Sequence, residues 1–426
     1  MTELIVESSA PASYRAILRG NSNFRLLWFG EVVSLFGDWF NLIASAALIS
    51  YLTQSGLAVG GLFVVRMLAP FLVSPFAGVA ADRFNRKHLL VLADLFRATV
   101  VLGFLFVREP QHVWILYTLT AIQLGTSGFF FPARNALLPD IVSRRELGGA
   151  NALSSATWSV MLALGAAMGG VVAGQWGIYP AFIIDSITFV VSAILIGRIV
   201  YRPALPGSHR EDNLTSAVGQ YLEGLRYLNR HKDVLAIALH KASLALAVGG
   251  GFQVVQVVLA ERVFVIGEGG GTSLGIFYAI AGIGTGLGPL LVRRLTGDRE
   301  YLLRYFLFLS YVISVTGLAI SAPLSSFPIV LFGTLLRSVG TGLNWVFSTQ
   351  LLLQLLPDNI RGRVFSTEFA LFTLANAIGA AAAGSLLDGT GLDAGGIIWL
   401  MAALTVIPTV LWIYWISSQR KATPIL

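Results

Sequence analysis

Gly78-Val79-Ala80-Ala81-Asp82-Arg83-Phe84-Asn85-Arg86-Lys87 stands between two long apolar runs, at 57–78 and 88–107. One acid and three bases crowd into residues 82–87. A charge inside hydrocarbon is costly, so this stretch reads as a tight turn at a membrane surface, between two spans. Outward from it, apolar runs of about 20 residues recur along the whole chain, each enough to cross a bilayer core of about 30 Å. Twelve are read, at 25–50, 57–80, 88–107, 112–133, 150–175, 179–200, 233–260, 271–292, 301–321, 327–352, 364–387 and 395–417. The 426 residues are 55% apolar and 12% charged, with a mean hydropathy of +0.75. A soluble domain carries about 25% charged residues. The expectation is an all-α membrane protein.

The sequence pI of 9.8 invites a nucleic-acid reading, and charge placement argues against it. With the N-terminus in the cytoplasm, 21 of the 29 Lys and Arg residues fall in the termini and the even-numbered loops, including Arg25, Arg83, Arg86, Lys87, Arg144, Arg230, Arg293, Arg361 and Arg420. Only Arg108 and Arg262 fall outside. This is the positive-inside bias, which puts both ends in the cytoplasm. Arg outnumbers Lys 25 to 4, as in GC-rich bacterial genomes, so a bacterial plasma membrane is expected. Glu3 and Glu7 precede any apolar run, so no cleavable signal peptide is read. With no cysteine and five scattered histidines, neither a disulfide nor a metal site is expected. No Walker sequence appears, and no nucleophile–base set, so no cofactor and no enzyme chemistry are expected.

The chain repeats itself once. Leu138-Pro139-Asp140-Ile141 closes the fourth span, and Leu356-Pro357-Asp358-Asn359-Ile360 closes the tenth. The expected organisation is a cytoplasmic segment 1–24, a six-span half 25–200, a linker 201–232, a second six-span half 233–417 and a tail 418–426. Within the linker, Leu214, Val218, Tyr221, Leu222, Leu225 and Leu228 recur at helical spacing. They mark either an amphipathic helix on the inner leaflet or a plain connecting helix. Gly282/Gly286, Gly284/Gly288, Gly165/Gly169 and Gly170/Gly174 have the four-residue spacing that lets membrane helices approach closely.

Polar residues inside spans carry most of the functional signal, because each costs free energy in lipid. In span 1, Glu31, Ser34, Asp38, Asn41 and Ser45 form one stripe on one helix face. Span 10 repeats the pattern with Arg337, Thr341, Asn344 and Ser348, and span 4 with Thr120, Gln123, Ser127 and Arg134. Span 7 carries Gln253 and Gln256. Isolated Ser and Thr serve helix packing more often than a cavity; the stripes that hold charges point to a cavity. At about 1.5 Å per residue, Asp38 lies roughly 18 Å from the inner end of span 1 and Arg66 roughly 14 Å from the outer end of span 2. The two are expected to meet near mid-membrane as an ion pair. Asp94 and Arg97, one turn apart, are expected to pair within their own helix. Asp185, Lys241 and Glu368 have no assignable partner.

The signature G-x-x-x-D-R-x-x-R-K, carried by Gly78, Asp82, Arg83, Arg86 and Lys87 between spans 2 and 3, resembles the loop of the major facilitator superfamily of secondary transporters. Asn23-Phe24-Arg25-Leu26-Leu27-Trp28, Gly37-Asp38-Trp39-Phe40, Phe131-Pro132-Ala133-Arg134, Ala150-Asn151-Ala152-Leu153 and Arg361-Gly362-Arg363-Val364 resemble its bacterial efflux branch, which includes macrolide and enterobactin exporters. The Gly-Pro-Gly-rich antiporter motif of span 5 lacks its proline here. The resemblance implies twelve transmembrane helices in two pseudo-symmetric six-helix bundles, with spans 1, 4, 7 and 10 lining a central cavity.

The expected function is export of small amphipathic molecules by alternating access, as a proton antiporter acting as a monomer in the lipid bilayer. Asp38, with Arg66 and with Glu31 in reserve, is the expected proton-coupling site. Gly78, Asp82, Arg83, Arg86, Lys87, Arg134 and Arg363 are the expected cytoplasmic gate, with Asp82 near Arg363 at the start of span 11. Ser34, Asn41, Gln123, Ser127, Gln253, Gln256, Arg337, Thr341, Asn344, Trp345 and Phe372 are the expected substrate cavity. A dedicated exporter of a siderophore or a lipid-like metabolite is the rival reading, and a non-transporting membrane sensor the remote one.

Overall fold

The computed structural model describes residues 14–200, 214–296 and 299–422, which form helices and short connections. A short α1 (Tyr14–Gly20) precedes α2 (Ser22–Thr53), α3 (Gly56–Arg83), α4 (Arg86–Leu102), α5 (Val113–Ile141), α6 (Arg144–Gln175) and α7 (Ile178–Gly197). The linker helix is α8 (Leu214–Arg230). The seventh span, Lys232–Val263, is composite: α9 (Lys232–Leu244) and α10 (Gly250–Val258) are joined by a π-helical turn, Ala245–Gly249. Then come α11 (Gly271–Thr296), α12 (Glu300–Ser321), α13 (Phe327–Leu355), α14 (Asp358–Gly389) and α15 (Ala394–Ala422). Among the described residues, eleven helical stretches are long and apolar enough to cross a bilayer. The expected fifth span lies in α6, whose described apolar stretch is Val160–Gln175.

Helix starts follow local chemistry. The Asn21, Ser55 and Asn85 side chains accept from the Phe24, Ala58 and His88 amides at 2.9, 3.1 and 3.2 Å, satisfying N–H groups that the first turn leaves open. Ser143 and Glu146 form a capping box at the start of α6. The hydrogen bonds that Ser143 gives the exposed Glu146 carboxylate hold its pKa below the usual value. The signature stretch is not a six-residue turn. Asp82 and Arg83 end α3, Arg86 and Lys87 begin α4, and only Phe84 and Asn85 lie between, because the Asn85 cap restarts the helix at once.

Helices of each half pack mainly on one another: α2 on α6 and α7, α4 on α5 and α7, α13 on α11 and α12, and α10 on α14. Between the halves, α3 packs chiefly on α14 and α6 chiefly on α11, with smaller contacts of α10 on α3 and of α11 on α2. Small residues permit the two main contacts. A Cβ on Gly60 would come 2.7 Å from the Ala380 carbonyl oxygen, and one on Gly170 would come 2.6 Å from the Gly275 Cα. The apolar core is continuous across the halves toward one end, where Ile49, Val59, Phe104, Ala173, Leu259 and Ala380 share a cluster. Toward the end that bears most of the Arg and Lys residues it splits in two. One cluster holds Phe24, Leu90, Leu137 and Ala150, the other Leu228, Leu303, Phe347 and Trp412. Leu72, Phe76, Trp158, Leu287, Leu290 and Phe369 are exposed on the basic-end parts of α3, α6, α11 and α14. The molecule is thus closed between its halves at the end opposite the basic one and parted at the basic end.

Asp388 closes the end opposite the basic one. Its carboxylate accepts from Ser55 Oγ at 2.6 Å, the Gly56 amide at 2.8 Å and the Leu57 amide at 3.0 Å, so the end of α14 caps the start of α3. Gln54 Nε2 adds a bond to Glu261 Oε1 at 3.2 Å. At the basic end, α8 packs on α14, with Leu228 buried against Leu356, Ile360 and Val364. Part of its apolar face therefore meets protein rather than the leaflet.

Candidate functional site

The N-terminal half buries a cluster of charges. Asp94 and Arg97 of α4 pair one turn apart, as their spacing predicts. Arg97 also donates to Ser127 Oγ at 3.0 Å, and its guanidinium lies 4.2 Å from the Phe189 ring centroid and 5.0 Å from that of Phe130. Asp38 Oδ2 is 3.9 Å from Arg97 Nη1, and its shielded Oδ1 has no hydrogen-bond partner. This corrects the expected Asp38–Arg66 ion pair. Within ion-pairing distance, Asp38 meets Arg97 of span 3 instead. Arg66 still interacts electrostatically with Asp38 and with Asp185. Asp185, fully buried, receives a 3.5 Å bond from Gln123 Nε2 and interacts with Asp38, Arg97 and Arg66. Three carboxylates, Asp38, Asp94 and Asp185, thus share two guanidiniums.

Two residues assigned to different roles meet nearer the basic end. Arg134 of α5 lies 3.3 Å from Glu31 of α2 and also bonds Ser154 of α6. At the signature turn, Arg86 pairs with Asp140 at 2.6 Å and donates to the Ala136 carbonyl at 3.1 Å, tying α4 to α5. Gly78, Asp82 and Arg83 lie on α3, with side chains outside the described set, so the expected Asp82–Arg363 contact falls outside it too. Lys87 lies in the first turn of α4. Arg363 bonds Glu223 of the linker helix.

A cavity of about 190 Å³ lies mostly within the C-terminal half, with Leu162 of α6 also on its wall. Gln253, Gln256, Arg337, Thr341, Asn344, Trp345 and Phe372, all expected, line it. Ser34, Asn41, Gln123 and Ser127 do not line this cavity, a correction to the expected set. They turn into their own half, where Asn41 accepts from Ser45 Oγ at 3.2 Å and Gln123 and Ser127 hold the charge cluster. Lys241, Phe252, Tyr278 and Asn376 are walls that the stripes missed. Lys241 Nζ bonds Glu368 at 3.0 Å and Thr349 Oγ1 at 2.8 Å and lies 4.4 Å from the Trp345 ring centroid. One signal was available: an acid and a base inside spans of the same half, each without a partner, are candidates for each other. The π-helical turn places Ala245 and Gly249 on the cavity wall, and such turns often mark functional sites.

Tyr278 of α11 joins the two sites. It lines the cavity, packs on Trp39 of α2 with centroids 5.5 Å apart and interacts electrostatically with Arg66 and Arg337. The C-half cavity therefore adjoins the N-half charge cluster.

The family model of the Major Facilitator Superfamily matches residues 27–367. The chain is 26% identical over 359 residues to the putative bacilysin exporter BacE of Bacillus subtilis (strain 168), covering 84% of this chain and 86% of that protein. It is 27% identical over 224 residues to macrolide efflux protein A of Streptococcus pyogenes, covering 51% of this chain and 53% of that one. A crystal structure of a variant of the nucleoside transporter NupG superposes with a TM-score of 0.73 at 12% identity, over 92% of this chain and 99% of that one.

Proposed function

Because the chain belongs to the Major Facilitator Superfamily, we propose that it exports small amphipathic molecules by alternating access, driven by proton antiport across a bacterial plasma membrane, with both termini in the cytoplasm. Relatives named as exporters support the direction of transport. The observation that carries the coupling is the cluster of three carboxylates on two guanidiniums beside the cavity. With all five groups ionised it bears a net charge of −1, at a depth where an uncompensated charge is costly. One proton neutralises it. Asp38 is its preferred holder, because its contact with Arg97 is the long one, 3.9 Å, whereas Asp94 is bonded within its own helix turn.

Protonation of Asp38 frees Arg97 and Arg66 from one counter-charge and alters the field that Tyr278 carries to the cavity. Substrate enters from the parted basic end. Closing that end over it and breaking the Asp388 closure would expose the cavity outside. Asp82, Arg83, Arg86 and Lys87 then act as the gate, against the negative inner leaflet. The small cavity, below the roughly 300–1,000 Å³ of drug-sized sites, also favours a dedicated exporter of one compact metabolite over carriage of a large siderophore.

The test is uptake of a fluorescent dye panel by inside-out proteoliposomes, with and without an imposed pH gradient. Accumulation that follows the gradient is expected. Accumulation of every transported dye at the same level without a gradient would refute the antiport.

A further inference from the structure

Each basic residue inside the spans except one has an acid in reach. Arg97 has Asp94, Arg134 has Glu31, Lys241 has Glu368 and Arg304 has Glu300. Arg66 interacts with Asp38 and Asp185. Arg337 is the exception: among the described residues no carboxylate lies within ion-pairing distance of it. It is 8% exposed. One Nη donates to Ser338 Oγ at 3.0 Å, Nε has no partner, and the guanidinium lies 4.1 Å from the Phe252 ring centroid. It lines the cavity beside Gln256, Asn344 and Trp345.

A guanidinium carries five N–H donors and never gives up its charge. Left buried without a counter-ion it is costly, and the cation–π contact offsets part of that. The remaining donors adjoin a space that is otherwise aromatic and amide in character, with Trp345 packed edge-on to Phe372 at 5.1 Å between centroids. Lys241, the other base on the wall, is neutralised by Glu368. The cavity therefore carries one net positive charge.

We propose that Arg337 is the anchor for an anionic group on the substrate, so that the cavity takes an amphipathic acid: a carboxylate or phosphate monoester forked by Arg337, with its apolar body against Trp345 and Phe372. This rests on the reading of the cavity as the substrate site and names the class of substrate. Planar guanidinium donors suit both oxyanions bidentately.

The test is binding to the purified full chain by fluorescence polarisation, with three probes of one compact naphthalene scaffold: the free carboxylate, its ethyl ester and a phosphate monoester analogue. Hydrogen bonds to a charged group contribute about 1.5–3 kcal/mol, so the carboxylate should bind about ten-fold or more tighter than the ester. Arg337→Gln should lower carboxylate affinity to the ester's level and leave the ester unchanged, and Arg337→Lys should restore part of the difference. The unchanged ester shows that the variant is folded. Without probe, Arg337→Gln should melt no lower than wild type, since it removes an uncompensated charge; a purely structural arginine would melt lower. The phosphate probe shows which oxyanion the fork prefers, and a preference for either acid over the ester supports the anchor. Equal wild-type affinity for acids and ester, binding of no probe, or loss of acid and ester alike in Arg337→Gln would overturn it. Acid that binds through Arg337 but is not moved by proteoliposomes would keep the anion site and refute export.

Discussion

Replacing Asp388 by alanine should loosen the outer closure. The carboxylate receives three hydrogen bonds from the first turn of α3, at 2.6, 2.8 and 3.0 Å, and α3 and α14 belong to different halves. Two of the donors are amides of a helix N-terminus, where a negative charge is favoured. Buried bonds to a charged acceptor would each contribute about 1.5–3 kcal/mol. Asp388 is exposed, however, and solvent screening brings the whole latch down to about 1–2 kcal/mol. That corresponds to a factor of about 5–30 between the outer-closed and outer-open populations. The Gln54–Glu261 bond remains in the variant, so closure should weaken rather than vanish. The chain has no cysteine, so spin labels can be placed at cysteines introduced at Gln111 and Leu392, in outer loops of the two halves. Pulsed dipolar spectroscopy in lipid nanodiscs should show one short distance in wild type and a second, longer population in Asp388→Ala. An unchanged distance distribution in the folded variant would refute both the latch and the idea that α3 and α14 part at this end.

Asp38→Asn should abolish uphill, pH-driven export while downhill exchange stays measurable; if it still concentrates substrate and Glu31→Gln does not, the proton site belongs to Glu31 and Arg134. Asp82→Asn should leave expression unchanged and strongly reduce vesicle transport, and wild-type rates from that variant would remove Asp82 from the gate. Single cysteines at Ser208, in the linker outside the described residues, and at Thr390, beside the Asp388 latch, should label from opposite sides of the membrane. Labelling of both from one side of intact cells would refute the expected topology.

What could be read from residues alone follows from one-dimensional periodicity. Hydrocarbon thickness fixes how long an apolar run must be, so the spans were legible. Depth along a helix was legible as well, at a constant rise per residue. Glycine spacing announced close approach, and Gly284 and Gly288 indeed meet Leu335 and Val339, yet Gly286 has nothing within 4 Å. The four-residue spacing says that two glycines share a face, not that a neighbour covers it.

The sequence by itself determined the class of protein, the signature turn and the polar stripes, because each depends on local solvation and helix period. Only the tertiary structure decided which stripe faces which. Depth along the chain matched Asp38 to Arg66, but within ion-pairing distance Asp38 meets Arg97 instead. Lys241 and Glu368 are 127 residues apart, and nothing in either neighbourhood names the other. The division of labour, a charge cluster in one half and a cavity mostly in the other with Tyr278 between them, arises from side-chain direction on packed helices, and packing is a property of pairs of helices that no single stretch of chain contains.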